Sequence, residues 1–223
     1  MPRYPRLTLL IASIVLLVSW QCLLERQFLK SLWYSRDAIF SGELWRIFSG
    51  HLVHHSVSHL LFNLGALVLL SWIIETKYSA LTLIILLLIL SFVTSIGMLL
   101  IVPKLAFYGG SSAINYGLLA WLSLQDRGPV FKYSGANLQN NLKALIAPTL
   151  IVHCAFQWYF SRSLFSTNPG NPELVIAWQT HLISIVTALM CQFLKSPPTI
   201  YNLSAKTHRK LTNQPKLLVQ QDL

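Results

Sequence analysis

Long apolar runs separated by short polar segments dominate the hydrophobic pattern of this chain. About 20 consecutive apolar residues form a helix long enough to cross the hydrocarbon core of a bilayer. The pattern therefore predicts an all-α membrane protein, a bundle of six transmembrane helices. The predicted spans are residues 7–24, 51–73, 80–102, 111–124, 142–160 and 174–194.

The fourth run is too short to cross a bilayer unless it is tilted or begins below the membrane surface, surrounded by protein. The stretch that leads into it, FYGGSSA, contains Gly109 and Gly110. Glycine permits turns that other residues resist and lets helices approach closely. We therefore expect a loop that dips into the protein and continues as a short helix.

Composition supports a membrane location, because only 11% of the 223 residues are charged and 54% are hydrophobic. A soluble domain averages about 25% charged residues. The net charge of +10 does not indicate nucleic acid binding, since Lys and Arg fall in the loops between the apolar runs. Their excess on one side predicts that both termini lie in the cytoplasm.

Two longer polar segments complete the organisation. Residues 25–50 mix charged with aromatic side chains, which is typical of a segment at the membrane interface. The tail, residues 196–223, is polar, basic and interrupted by proline, so we predict that it is disordered in the cytoplasm. Residues 1–195 would then form a single membrane domain.

Polar side chains inside a bilayer are costly, so those within the predicted spans are candidates for function. If the N-terminus is cytoplasmic, the polar residues of spans two, four and six lie in the outer half of the membrane. His181 follows the start of its span by about seven residues, or roughly 10 Å, and Ser112 must reach a similar depth to meet it. The full set comprises His51, His54, His55, His59, Asn63, Ser111, Ser112, Asn115, Tyr116, His153 and His181.

The second span carries the densest group of polar residues. His55, His59 and Asn63 recur every four residues and so share one face of the predicted helix. We therefore expect His59 and Asn63 to point into one cavity.

Three motifs resemble the rhomboid family of intramembrane serine proteases. WRIFSGHLVHHSVSHLLFN is similar to the family's HxxxxHxxxN motif, GGSSAINY to its GxSG turn, and AWQTHLIS to the histidine motif of its last span. Trp45, Arg46 and Glu75 match structural positions of the family. The first and third motifs look closer still to rhombosortases, a compact bacterial branch. The resemblance covers roughly residues 40–192.

This resemblance implies an arrangement of catalytic groups. Ser112 would be the nucleophile and His181 the general base. His59 and Asn63, together with the Ser112 backbone N–H, would form the oxyanion hole. Tyr116 would stack near His181.

The same resemblance gives roles to supporting residues and shows where this sequence differs from the family. It gives His54 a structural role and places Gly110 in the turn before the nucleophile. Ala113 follows the nucleophile where the family has glycine, and Ser184 and Ala188 replace glycines of the last span. Their small-xxx-small spacing still suits close helix packing.

The implied function is that of a serine endopeptidase that cleaves the transmembrane segments of other membrane proteins near the outer leaflet. Its partners would be such substrates and the lipid bilayer, with no cofactor, metal or nucleic acid. The rhombosortase branch implies a bacterial inner membrane and substrates with a C-terminal Gly-Gly sorting segment. The sequence leaves the substrate, its entry route and the oligomeric state open.

The few acidic residues favour a Ser–His dyad over a triad. Glu75 ends the second span on the cytoplasmic side, and Glu173 precedes His181 by about eight residues, roughly 12 Å of helix. No carboxylate is thus placed to orient the base. Side-chain packing, including that of Tyr116, would have to orient the base instead. Ser–His pairs are weaker catalysts than full triads.

Ser111 competes with Ser112 as the nucleophile, because both follow the glycine pair. Ser112 is favoured since Tyr116 lies four residues further on, on the same helix face. A lone serine in a span more often serves packing, and only the combination of three motifs overturns that interpretation.

Two other functions stay open, a catalytically inactive rhomboid-like binding protein and a membrane protein whose histidines ligate a metal or haem. His51, His55 and His59 share a predicted helix face, but HExxH is absent, which disfavours a zinc protease. We assign His51 and His55 to structure or to the interface. His153 is more typical of a core histidine than of a catalyst.

Overall fold

The structure is a computed structural model that describes residues 4–103, 105–125, 134–160 and 178–193. Helices account for nearly all regular structure in these ranges. In chain order the elements are α1 (Arg6–Leu24), α2 (Arg26–Leu32), β1 (Tyr34–Ser35), α3 (Arg36–Phe40), α4 (Arg46–Ser49), α5 (Val57–Lys77), α6 (Ala80–Ile101), β2 (Phe107–Tyr108), α7 (Ser112–Leu124), α8 (Ser134–Phe160) and α9 (Trp178–Met190), with a final 3₁₀ turn (Cys191–Phe193).

Three of the described helices, α1, α5 and α6, are long and apolar enough to cross a membrane. The apolar helix α7 has only 13 residues and lies at the centre of the bundle. It packs against α5, α6, α8 and α9, and Leu118 and Trp121 in its middle are fully buried. Because protein surrounds α7, the polar residues at its start lie within the bundle rather than in lipid.

Close packing between α7 and α9 depends on a glycine. A side chain at Gly117 would place its Cβ 2.5 Å from Ser184 Oγ and 2.7 Å from a methyl group of Leu90. Ser184 and Ala188 are both fully buried in α9, so the small residues of this helix do lie in the core. Small residues on both helices let the two backbones approach.

The segment from α2 to α4 is held together by the buried guanidinium of Arg46. Its Nη1 donates to the carbonyl oxygens of Lys30 (2.7 Å) and Trp33 (2.9 Å), and its Nε donates to Glu43 Oε2 (2.7 Å). Several large apolar side chains of the segment are exposed, as suits a position at the membrane interface. They are Phe40, Leu44, Trp45 and Phe48.

A short antiparallel pairing joins this segment to the turn before α7. Strand β1 pairs with β2 in a register that places Tyr34 opposite Tyr108 and Ser35 opposite Phe107. Two-residue strands leave no alternating pattern in the sequence, and none was predicted. The pairing fixes where the loop enters the bundle.

Glu75, near the end of α5, binds the first turn of α1. Its carboxylate oxygens accept hydrogen bonds from the backbone N–H groups of Leu7 (3.0 Å) and Thr8 (2.7 Å) and from the Thr8 hydroxyl (2.7 Å). The first N–H groups of a helix lack partners within it, and a negative charge there is favourable. Glu75 therefore ties α1 to α5, a structural role.

The start of the second predicted span differs from the structure. Helix α5 begins at Val57, not at residue 51, because Ser56 caps it and accepts a hydrogen bond from the His59 backbone N–H (3.2 Å). His51, His54 and His55 therefore lie in the loop before this helix, where His51 and His54 are buried and His55 is half-buried. The prediction that His55 shares a helix face with His59 and Asn63, and His51 with His55 and His59, was wrong.

Other predicted bounds can be compared only in part. Helix α8 begins at Ser134, earlier than the predicted start at residue 142, and α9 is described from Trp178 onwards. The start of the sixth predicted span, Glu173 and the tail 196–223 lie outside the described residues.

Replacing Gly117 by Ala should destabilise the bundle by about 1–3 kcal/mol, because the added methyl group overlaps Ser184 and Leu90. Gly65→Ala is a matched control in α5, since nothing lies within 4 Å of an added Cβ there. This control should be neutral or stabilising by about 0.5–1 kcal/mol. Unfolding of the detergent-solubilised protein measures both, and equal stability of the two variants would contradict the packing argument.

Candidate active site

Ser112 and His181 meet at the interface of α7 and α9. Ser112 Oγ lies 3.0 Å from His181 Nε2, which is hydrogen-bonding distance. His181 is only 6% exposed, whereas Ser112, the first residue of α7, is partly open. The geometry lets the serine hydroxyl donate to an unprotonated Nε2.

The turn before Ser112 requires glycine. Gly110 has a φ of +128°, and a Cβ at this residue would lie 2.7 Å from His59 Cε1. Its backbone N–H donates to the carbonyl oxygen of Gly50 (2.9 Å). Ala113, by contrast, lies within α7, where alanine is favourable, so the missing family glycine causes no backbone strain there.

An aromatic ring fixes the plane of the His181 imidazole. The rings of Tyr116 and His181 stack with centroids 4.2 Å apart and an angle of 2° between the planes. The Tyr116 hydroxyl lies 2.5 Å from His153 Nδ1. His153 thus contacts the residue that packs on His181.

Sequence analysis missed the partner of the second imidazole nitrogen. Gln157 Oε1 lies 2.9 Å from His181 Nδ1, and the Gln157 side chain is 2% exposed. The sequence could have indicated Gln157 as a site residue, because it lies four residues after His153 in an apolar run and so shares its helix face.

His59 lies against the turn that precedes Ser112. Its ring contacts Gly110, and its Nδ1 is 3.1 Å from His55 Nδ1. One of these two nitrogens must be the donor and the other the acceptor. If His55 donates, the Nε2 of His59 carries its proton and is itself a donor.

Asn63 follows one turn later on α5 and is bound to α7. Its Nδ2 donates to the carbonyl oxygen of His59 (2.9 Å), and it accepts from Asn115 Nδ2 at its backbone oxygen (2.9 Å) and at Oδ1 (3.3 Å). The sequence placed Asn115 among the polar residues of its span without a role. The structure shows that it anchors Asn63.

Two loop histidines serve the architecture beneath the turn. Ser19 Oγ donates to the carbonyl oxygen of Leu52 (2.8 Å), so it accepts from His54 Nδ1 (2.9 Å). The opposite nitrogen of His54 then faces the backbone N–H of Ser111 (3.5 Å). His51 is likewise buried, and its Nε2 lies 3.0 Å from Ser95 Oγ.

The hydroxyl of Tyr108 is a further polar group next to Ser112, and it was not predicted from the sequence. It donates to the carbonyl oxygen of Gly110 (2.8 Å) and lies 3.3 Å from Ser112 Oγ. The backbone N–H of Ala113 donates to it at 3.4 Å. Tyr108 is also the β2 residue that pairs with Tyr34, so the interfacial segment positions it.

The two candidate serines have different surroundings. The Ser111 side chain is 1% exposed, and in the described part of the chain its Oγ has no hydrogen-bond partner. Ser112 contacts both His181 and Tyr108. The contacts of Ser112 are those that a nucleophile needs.

Among the same described residues, no set of three or more His, Cys, Asp or Glu side chains is placed to hold a metal ion. His55 and His59 instead contact each other through their ring nitrogens.

The family model for the Rhomboid domain matches residues 41–198, from within the interfacial segment to beyond α9. The match confirms the family that the sequence motifs predicted. Rhomboid proteins are generally intramembrane serine proteases that act on membrane-protein substrates within the bilayer. Since the match covers more than half of the chain and includes every element of the site, the protein belongs to the Rhomboid family and is an integral membrane protein.

Proposed function

We propose that the protein is an intramembrane serine endopeptidase that cleaves the transmembrane segments of membrane proteins near the outer leaflet. The observation that carries this proposal is the 3.0 Å contact between Ser112 Oγ and His181 Nε2 in a chain of the Rhomboid family. A hydroxyl becomes a nucleophile when an adjacent base can take its proton.

In the proposed reaction the Ser112 proton moves to His181 Nε2 as Oγ attacks the carbonyl carbon of the scissile peptide bond. The resulting imidazolium then gives this proton to the leaving nitrogen, and the peptide bond breaks to leave an acyl ester on Ser112. Water repeats the same transfer and releases the acid. The stacked ring of Tyr116 keeps the imidazole plane fixed throughout.

Three N–H groups are proposed to stabilise the oxyanion of the tetrahedral intermediate. The Ser112 backbone N–H belongs to the first turn of α7, where N–H groups lack partners within the helix. The His59 Nε2–H and the Asn63 hydrogen not used for the His59 carbonyl are the other two. Each donor in such a hole contributes about 2.7–4 kcal/mol to the transition state.

The proposed membrane arrangement comprises six helices, α1 and α5–α9, within a domain of residues 1–195. Both termini and the tail 196–223 lie in the cytoplasm, and the site opens to the outer side of a bacterial inner membrane. Water for hydrolysis then reaches Ser112 from outside. Because an intact helix hides its carbonyl groups, suitable substrates contain small residues or glycine near the outer end of the span.

We further propose membership of the rhombosortase branch, which would process surface or secreted proteins with a C-terminal Gly-Gly sorting segment. The support is the similarity of GHLVHHSVSHLLFN and AWQTHL to that branch.

A fluorophosphonate probe should label the purified protein at Ser112, as peptide mapping would show. Ser112→Ala should abolish labelling, while Ser111→Ala should keep it, because Ser112 alone of the two contacts the base. Loss of labelling in the Ser111 variant alone would overturn the assignment. Absence of labelling in folded wild-type protein would favour an inactive binding protein.

Asn63→Ala should slow cleavage of a membrane substrate by roughly 100- to 1,000-fold, because one oxyanion donor is lost. Thr76→Ala, also in α5, is the control and should leave the rate unchanged, since in the described part of the chain its exposed hydroxyl donates to carbonyl groups of its own helix. Equal rates for the Asn63 variant and wild type would remove Asn63 from the proposed hole.

Deleting the gene should leave proteins with a C-terminal Gly-Gly sorting segment unprocessed, because the protein is proposed to be the protease that removes this segment. Mass spectrometry of the surface and secreted proteins measures their C-termini, and complementation with the Ser112→Ala variant is the control. Unchanged processing of every such protein would reject the rhombosortase assignment while leaving the protease proposal intact.

A further inference from the structure

Gln157 is a neutral amide buried between helices α8 and α9. Its side chain is 2% exposed, and an amide buried without a hydrogen-bond partner is destabilising. Its oxygen faces His181 Nδ1 at 2.9 Å, on the opposite side of the ring from Ser112. The three groups thus lie in the order hydroxyl, imidazole and amide.

We propose that Gln157 is a positioning residue for the base, so that the site is a Ser–His–Gln triad and not an unsupported dyad. This inference rests on the proposed protease function. An amide oxygen can only accept, so it holds the proton of neutral His181 on Nδ1. Nε2 is then left with the lone pair that the Ser112 proton requires.

The other end of the amide supports this orientation. The Gln157 side chain also interacts with the Tyr116 hydroxyl, which in turn contacts His153 Nδ1. With its NH₂ group towards that hydroxyl, Gln157 donates to Tyr116, and Tyr116 donates to His153. In the hydrogen-bonded series Ser112, His181, Gln157, Tyr116 and His153, each donor then faces an acceptor.

The hydrogen bond from His181 to the Gln157 oxygen should be stronger in the transition state than in the resting site. As His181 takes the serine proton it becomes a cation, and a hydrogen bond with a charged partner is stronger than one between neutral groups. The difference predicts a rate loss of roughly 10- to 100-fold when the acceptor is removed.

The test compares three variants by the rate of fluorophosphonate labelling at Ser112 across a range of pH. Gln157→Met keeps the length of the side chain but removes the acceptor, and Gln157→Glu restores an acceptor. Thr149→Ala is the control, because it removes a polar group from the same helix whose exposed hydroxyl donates to the Leu145 carbonyl oxygen (2.6 Å). Thermal unfolding of each variant checks the fold.

We expect Gln157→Met to label roughly 10- to 100-fold more slowly than wild type and Thr149→Ala to label at the wild-type rate. Gln157→Glu should recover most of the rate and move the acidic limb of the profile to higher pH, since an ionised carboxylate stabilises the imidazolium. The titratable groups near His181 in the described residues include Tyr116 on α7, His153 and Cys154 on α8, His59 on α5 and Tyr108 on β2, which all variants share.

A wild-type labelling rate in folded Gln157→Met would overturn the inference and leave the protease proposal standing. If Gln157→Met fails to fold, a folded Gln157→Glu variant with an unshifted pH profile would overturn it equally. Absence of Ser112 labelling in wild type would instead reject the proposed function itself. The two failures are therefore distinguishable.

Discussion

The close approach of α7 and α9 is the constraint on which the rest of the site depends. Ser112 opens one helix and His181 lies in the first turn of the described part of the other, so their 3.0 Å contact exists only at one separation of the two backbones. Gly117 sets that separation, because any side chain there would overlap Ser184 and Leu90. The distance between Ser112 and His181 therefore depends on the small size of Gly117.

The second constraint is the pairing of buried polar groups. A bilayer offers no hydrogen bonds in its core, so most polar side chains of the site pair within the protein, although Ser111 Oγ has no partner among the described residues. Tyr116 and His153 pair with each other, as do Asn63 and Asn115. These pairs join α7 to α8 and to α5, and they hold the side chains around Ser112 in fixed orientations.

Much of the helical architecture could be predicted from apolar runs, because lipid demands long apolar helices. Helix α1 (Arg6–Leu24) and helix α6 (Ala80–Ile101) closely follow the predicted residues 7–24 and 80–102. The meeting of Ser112 and His181 came from motif resemblance, not from periodicity. The start of α5 was misplaced because the four-residue spacing of His51, His55 and His59 continues through the loop. Ser56 also lacks the Glu or Gln three residues later that marks a capping box.

The roles of three residues of the site were not predicted from the sequence, for a different reason. Gln157 and Asn115 each act through a contact with an element remote in the sequence, and Tyr108 is positioned by one. No local pattern records which elements meet. Tyr108 is the clearest case, since its position depends on the pairing of β2 with a two-residue strand more than 70 residues earlier. Only the folded arrangement shows that this pairing links the interfacial segment to Ser112.

The absence of a carboxylate beside His181 among the described residues has a physical explanation in this setting. An ionised carboxylate buried in an apolar interior costs several kcal/mol, and the cost is recovered only with a well-placed partner. Neutral imidazole supplies no such charge in the resting site. The Gln157 amide costs far less to bury and still presents an oxygen to Nδ1. It therefore gives orientation without a permanent buried charge, while Tyr116 fixes the plane of the ring.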